Sequence, residues 1–229
     1  MPTDREVTPT GRTGAPPPAT RAQALVVAAL RLVDEGGLEG LTMRRLADIC
    51  KLQLPAIYRV FSNKGALLDE MAEKILSGAL VERRDEPWEA DVALLARQLR
   101  RALLAQRDGA RIVGGSYAAQ HYSLAFADRL IAAMQRAGLQ GVAALWATSS
   151  LFSYVLGEAL EQQGHAEGEI GKLDATVSAG TYPHLFATPV EEIADFDGRF
   201  EFGLGLFLAG LRERAAGESA AGPRAAGAG

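Results

Sequence analysis

The chain is poor in the residues that bind metals or cross-link small folds. Of its 229 residues one is cysteine, Cys50, and three are histidine, His121, His165 and His184. A single cysteine excludes an intrachain disulfide framework and a cysteine-based zinc site. Histidines so widely spaced form no metal-ligand pattern. No stretch approaches the roughly 18 uninterrupted apolar residues of a membrane span. The first twenty residues, MPTDREVTPTGRTGAPPPAT, lack the apolar core of a secretory leader. These absences lead to the expectation of a cytoplasmic protein with no metal, no cofactor and no membrane partner.

What is present is ordinary globular composition: hydrophobic residues make up 48% and charged residues 23%. The length allows one or two domains and a sizeable core. The net charge of −4 hides an asymmetry. Residues 1–64 carry nine Lys/Arg and six Asp/Glu, whereas the remainder carries fifteen and twenty-two. The two parts differ in sign, which points to different partners. Residues 1–19, rich in proline and almost without large apolar side chains, cannot bury enough surface to offset ordering entropy and are expected to form a disordered arm. The small residues and glycines of 215–229 predict a disordered tail.

Between these ends the apolar pattern is helical, and the expected fold class is all-α. Leu25, Val26, Ala29, Leu32 and Val33 share one helix face, and Gly36-Gly37 stops that helix. Thr42 stands as an N-cap before Met43, Leu46, Ala47 and Cys50. After a break at Lys51-Leu52-Gln53, Pro55 suits a first helical turn, and Ile57, Val60 and Phe61 give the next helix its buried stripe. A turn at Ser62–Gly65 precedes a long helix through Leu67, Leu68, Met71, Ile75 and Leu76. Further helices are expected over 88–106, 123–137, 140–163, 189–195 and 198–214, with a long Gly-rich loop over 164–180.

Residues 42–61, TMRRLADICKLQLPAIYRVF, therefore form a short helix, a tight turn and a second helix. In such a helix-turn-helix the first helix crosses the DNA backbone and the second lies in the major groove with polar or small residues outward. The outward face would carry Gln53, Leu54, Pro55, Tyr58 and Arg59. Tyr58 also admits a plainer role as a half-buried packing residue.

Over residues 22–76 the chain resembles the DNA-binding domain of the TetR family of transcription regulators. The resemblance rests on Gly40-Leu41-Thr42, Arg45-Leu46-Ala47, Pro55-Ala56-Ile57-Tyr58, Phe61 and Asn63-Lys64-Gly65-Ala66-Leu67-Leu68. Downstream, Trp88, Leu103-Leu104, Arg107-Asp108-Gly109-Ala110, Gly138, Leu160-Glu161 and Phe202-Gly203-Leu204 resemble the regulatory domain of the tetracycline-repressor branch of that family. The resemblance implies a homodimeric repressor that binds a pseudo-palindromic double-stranded operator and is released by a small molecule. It places Thr42, Met43 and Arg44 at the start of the helix crossing the DNA backbone. Gln53, Leu54, Pro55, Ala56, Tyr58 and Val60 would face the operator, and Lys64 a phosphate. Arg59 is a further candidate contact. It also implies a DNA-binding domain over 20–66 and a ligand-binding and dimerisation domain over 67–214.

Two departures from the family pattern bear on these expectations. The turn carries Lys51 where glycine is usual, and a non-glycine residue in left-handed geometry costs about 1 kcal/mol. On the ligand side, Val113 stands where the branch has a metal-anchoring histidine, and valine cannot coordinate a hard cation. Leu80, Leu95 and Leu99 replace polar drug contacts, while Ser116 keeps a hydroxyl and Glu161 a carboxylate. The expected ligand is therefore not a magnesium–tetracycline complex. It is a larger hydrophobic metabolite or antibiotic, oriented by Ser116, Tyr117, Arg129 or Glu161.

Two other classes bear on the same residues. An all-α enzyme would draw on Glu158, Glu161 and His121, but no nucleophile–base spacing supports it. A DNA-binding dimer without an inducer is a second alternative. Trp146, Phe152 and Tyr154 are expected to pack in a core or dimer interface, and Arg5 and Arg12 of the arm admit a minor-groove role.

Overall fold

In the computed structural model, residues 20–82, 86–116, 119–165, 181–184, 187 and 189–221 are described. Among them every regular element is helical, so the fold is all-α. The expectations for the arm, for Arg5 and Arg12, for Tyr117 and for most of the 164–180 loop fall outside the described residues.

Helix α1 (Arg21–Gly36) starts at Thr20, whose hydroxyl accepts from the Gln23 amide while the Gln23 side chain accepts from the Thr20 amide. This reciprocal capping satisfies two donors of the first turn. Gly37, at φ 74°, ends the helix in a geometry that favours glycine. A 3-10 turn, Leu38–Gly40, leads into α2 (Met43–Ile49), capped by the Thr42 hydroxyl on the Arg45 amide at 3.1 Å. Helix α3 (Leu54–Tyr58) begins with Pro55 in its first turn, where a missing N–H costs nothing. Leu32, Leu41, Leu46, Ile57 and Phe61 close the core of this three-helix unit.

Asn63 caps α4 (Lys64–Ser77). This helix packs on α1 and then on α6 (Gly109–Gly114) and α7 (His121–Arg136), bridging the two halves of the molecule. Helices α5 (Trp88–Leu104) and α8 (Gly141–Gly164) complete the second half. Its core is Leu95, Leu99, Leu103, Phe126 and Leu151. The last helix, α9 (Phe196–Ala221), lies on α8 and α5. Tyr154 joins α8 to α9 by donating to the Phe200 carbonyl at 2.7 Å and stacking on the Phe200 ring.

Two boundaries differ from expectation. The segment near 189–195 is a 3-10 helix, Val190–Ala194, with no cap from a side chain. The last helix runs on to Ala221, so the tail expected from residue 215 begins in helix. Its alanines are strong helix formers that extend an existing helix at little cost.

Candidate DNA interface and ligand cavity

The short helix α3 is held by very little of its own surface. Ile57 and Ala56 are buried, Leu54 packs partly against the core, and Pro55 and Tyr58 face out. Gln53, Pro55 and Arg59 are exposed, Tyr58 is 47% exposed, and Leu54 is half-buried. A proline ring and the open half of a phenol presented to solvent suit thymine methyls and phosphate oxygens. Thr42 and Arg44 are exposed on α2, and Lys64 opens α4. Arg44, Lys51 and Arg59 enter no ion pair among the described residues. Arg45, by contrast, turns back to donate to the Gly40 carbonyl at 3.3 Å.

Two residues expected at the operator point inward. Met43 is buried beside Leu46 and Ala47, and Ala56 is buried beside Ile57. Both occupy the apolar stripe that seats their helices, which is why neither is free to reach a base. The turn between α2 and α3 has the expected shape: Lys51 adopts φ 53°, the left-handed conformation that glycine usually supplies. Its backbone allows the Leu52 amide to donate to the Ala47 carbonyl at 2.9 Å.

In the second half a cavity of about 330 Å³ opens between α4, α6, α7 and α8. Val113 and Ser116 line it, as expected. Val113 offers only methyl surface. The Ser116 hydroxyl donates to Asp69 on α4 at 2.7 Å. The remaining wall combines Phe126, Leu130 and Phe152 with Glu73, Thr148 and Ser149.

The other expected ligand residues lie elsewhere. Leu95 and Leu99 are fully buried in the core, and Leu80 packs against it. Once these positions are leucine they fill space between helices instead of lining a site. Arg129 is committed to structure: its guanidinium reaches the Val81 carbonyl and pairs with Asp91 at 3.0 Å. Arg136 takes the other Asp91 oxygen at 2.6 Å. Burial pushes the Asp91 carboxyl up, but the hydrogen bonds from Arg136 and Arg129 outweigh it and hold the group below the usual carboxylate range. Glu161 and Glu158 both face Arg199 of α9, at 2.6 and 3.2 Å. One guanidinium thus ties both carboxylates of α8 to α9.

Asp69 and Glu73 escaped the sequence reading. The signal was present: Asp69, Ala72, Glu73 and Leu76 fall at i, i+3, i+4 and i+7, putting two carboxylates on one helix face with apolar neighbours.

The corner between α5 and α6 ties this half to the DNA-facing half. Gln106 donates to Asp34 at 2.6 Å and to the Leu30 carbonyl, and Arg107 donates to the Asp34 and Glu35 carbonyls at the end of α1. Asp108, at φ 56°, accepts from the Leu38 amide at 2.8 Å. Arg111 pairs with Glu39 at 2.5 Å, and that hydrogen bond lowers the Glu39 carboxyl below its ordinary pKa. One continuous segment, residues 106–116, therefore holds the end of α1 and carries Val113 and Ser116 to the cavity wall.

A compact helix-turn-helix unit, a bridging helix and a cavity in a helical second half define a one-component DNA-binding regulator. The comparisons agree. "Bacterial regulatory proteins, tetR family" matches residues 25–71, and "Tetracyclin repressor-like, C-terminal domain" matches residues 82–215. The chain belongs to the TetR family of transcription regulators. It is 36% identical over 198 residues to the tetracycline repressor protein class C of Escherichia coli, covering 83% of this chain and 90% of that one. A possible TetR family transcriptional regulator from Streptomyces coelicolor A3(2) superposes with a TM-score of 0.77 at 42% identity, covering 84% of this chain and 98% of the other. The TetR family protein ActR of Streptomyces coelicolor, in complex with (S)-DNPA, gives 0.75 at 30% identity, covering 86% and 99%.

Proposed function

We propose that this protein is a homodimeric, ligand-released repressor of transcription, acting in the cytoplasm and without enzymatic activity. Residues 20–66 form the DNA-reading domain and 67–214 the ligand-binding and dimerisation domain. Gln53, Leu54, Pro55, Tyr58 and Arg59 meet the operator in the major groove, while Thr42, Arg44 and Lys64 meet the flanking phosphates. The observation that carries the reading is the outward presentation of Pro55, Tyr58 and Arg59 on a helix that buries only Ala56 and Ile57. The ligand occupies the cavity beside Val113 and Ser116. Its similarity to a repressor named for tetracycline and to a regulator seen with a bound small molecule supports release by ligand. Release follows if the ligand favours a dimer whose two reading helices no longer match successive major grooves.

The test is binding of the purified protein to the region upstream of its own gene, and to a pool of random DNA, at two salt concentrations. Tight, sequence-selective binding that weakens with salt is expected. The Tyr58→Ala variant is expected to lose about tenfold or more in affinity while melting at the same temperature. Failure to select any sequence from the random pool would overturn the reading.

A further inference from the structure

We propose that the cavity between α4, α7 and α8 receives a small aromatic molecule bearing a protonated amine, with Asp69 and Glu73 as its counter-charges and the Thr148 hydroxyl as a second polar anchor. The proposal deepens the regulator reading above and rests on it for its biological role.

The charge on the lining has one sign. Asp69 and Glu73 line the cavity, and no Lys, Arg or His is among the described residues that do. Neither carboxylate enters an ion pair among the described residues. Glu73 is nine-tenths buried. Its two oxygens accept from the backbone amides of Tyr122 and Ser123 at the start of α7, the second at 3.0 Å. Asp69 accepts from the Ser116 hydroxyl at 2.7 Å. Neutral donors orient both carboxylates and leave acceptor capacity toward the cavity, because an ionised carboxylate has about four lone-pair sites. A buried carboxylate without a cation is a costly arrangement that a cationic partner relieves. An anionic ligand would meet two like charges with nothing to balance it.

The rest of the wall fits the same guest. Phe126 and Phe152 meet edge to face, with centroids 6.5 Å apart, and both border the cavity. Such rings accept an aromatic body, and their faces attract cations. Thr148 is 6% exposed and lines the cavity, yet its hydroxyl has no hydrogen-bond partner among the described residues. A helical threonine ordinarily bonds back to the carbonyl of the preceding turn. A buried hydroxyl left unpaired on a cavity wall is a group waiting for a ligand atom. The volume of about 330 Å³ lies at the small end of ligand cavities.

Calorimetric titration with three probes of one aromatic body tests the proposal: 1-naphthylmethylamine, its N-acetyl derivative and 1-naphthylacetate. The amine is expected to bind at least about tenfold tighter than the amide, and the carboxylate not to bind. In Asp69→Asn, whose amide oxygen still accepts from Ser116, the preference for the amine over the amide should shrink severalfold while the amide is unchanged, Glu73 keeping the remainder. Glu73→Gln is the second charge variant; it also leaves one of the Tyr122 and Ser123 amides without its acceptor, so its binding is read only if helix content and melting are native. Thr148→Val should weaken amine and amide alike. The proposal is overturned if the carboxylate binds as tightly as the amine, if the preference is undiminished in both charge variants, or if no probe binds the native protein at millimolar concentration. Operator binding assayed on the same preparations separates the two readings. Amine selectivity in a protein that holds no operator would sink the regulator and keep the amine site. An operator-binding protein without amine selectivity would do the reverse.

Discussion

Lys51 and Asp91 show two ways in which a single residue carries a cost that its surroundings must offset. Lys51 holds the left-handed corner of the helix-turn-helix at φ 53°, and its side chain is exposed with no ion pair among the described residues. No ion pair among the described residues repays the strain, so Lys51→Gly should raise stability by up to about 1 kcal/mol in urea unfolding. If the ammonium meets a phosphate, the same variant should lose operator affinity and show a shallower salt dependence. Asp91 is the opposite case: its side chain is 3% exposed and held by two guanidinium groups. Its pKa is depressed in the folded state, so its contribution is present above the unfolded value near 3.9 and is lost as the pH falls through the lower folded value. Asp91→Asn should cost about 3 kcal/mol at neutral pH, because it leaves two partly buried guanidinium groups unbalanced. It should also flatten the fall in stability below pH 4. A stability–pH curve parallel to that of the native protein would contradict this account.

At the scale of elements, the corner of α5 and α6 makes the two halves behave as one. Asp34 on α1 accepts from both Gln106 and the Arg107 amide, across more than seventy residues of sequence. Asp34→Ala would remove the acceptor that Gln106 and the Arg107 amide share, Gln106 keeping only the Leu30 carbonyl, and should cost about 1 kcal/mol. Its more specific signature is calorimetric: the single unfolding transition should split or broaden as the DNA-reading unit uncouples from the rest. A second constraint sits at Gly109, where an added Cβ would collide with the Leu103 carbonyl. The elements themselves were legible in the sequence because local chemistry sets them: Thr42 caps, Pro55 starts, and Gly37 and Gly138 stop their helices at positive φ. Their partners were not. Periodicity says which face of a helix is buried, but not what it meets. Arg129 therefore read as a ligand contact until Asp91 appeared beside it. Leu95 and Leu99 read as a cavity wall until they proved to be core. Met43 read as a DNA contact although its place on the stripe with Leu46 and Ala47 already argued for burial.

At the scale of the whole molecule, the chain as a single copy leaves large apolar side chains of α8 and α9 uncovered. Trp146 is 66% exposed and Phe202 71%, and Val142, Leu145, Leu160 and Leu206 are also open to solvent. All lie on α8 or α9, which pack against each other. A groove between them is lined by Ala143, Trp146, Leu206 and Phe207. Exposed apolar side chains gathered on one pair of helices mark an interaction surface, and two antiparallel pairs meeting across a two-fold axis would bury them as a four-helix bundle. A charge at its centre should be far more damaging to the dimer than to the fold, because Phe202 touches little within its own chain. Phe202→Glu should therefore run as a monomer in sedimentation while keeping the native helix content. Its operator binding should collapse, since one reading domain engages a single half-site and loses the gain in effective concentration that the second provides. A monomer that bound the full operator as tightly as the native protein would show that the two-fold pairing is not what positions the reading helices.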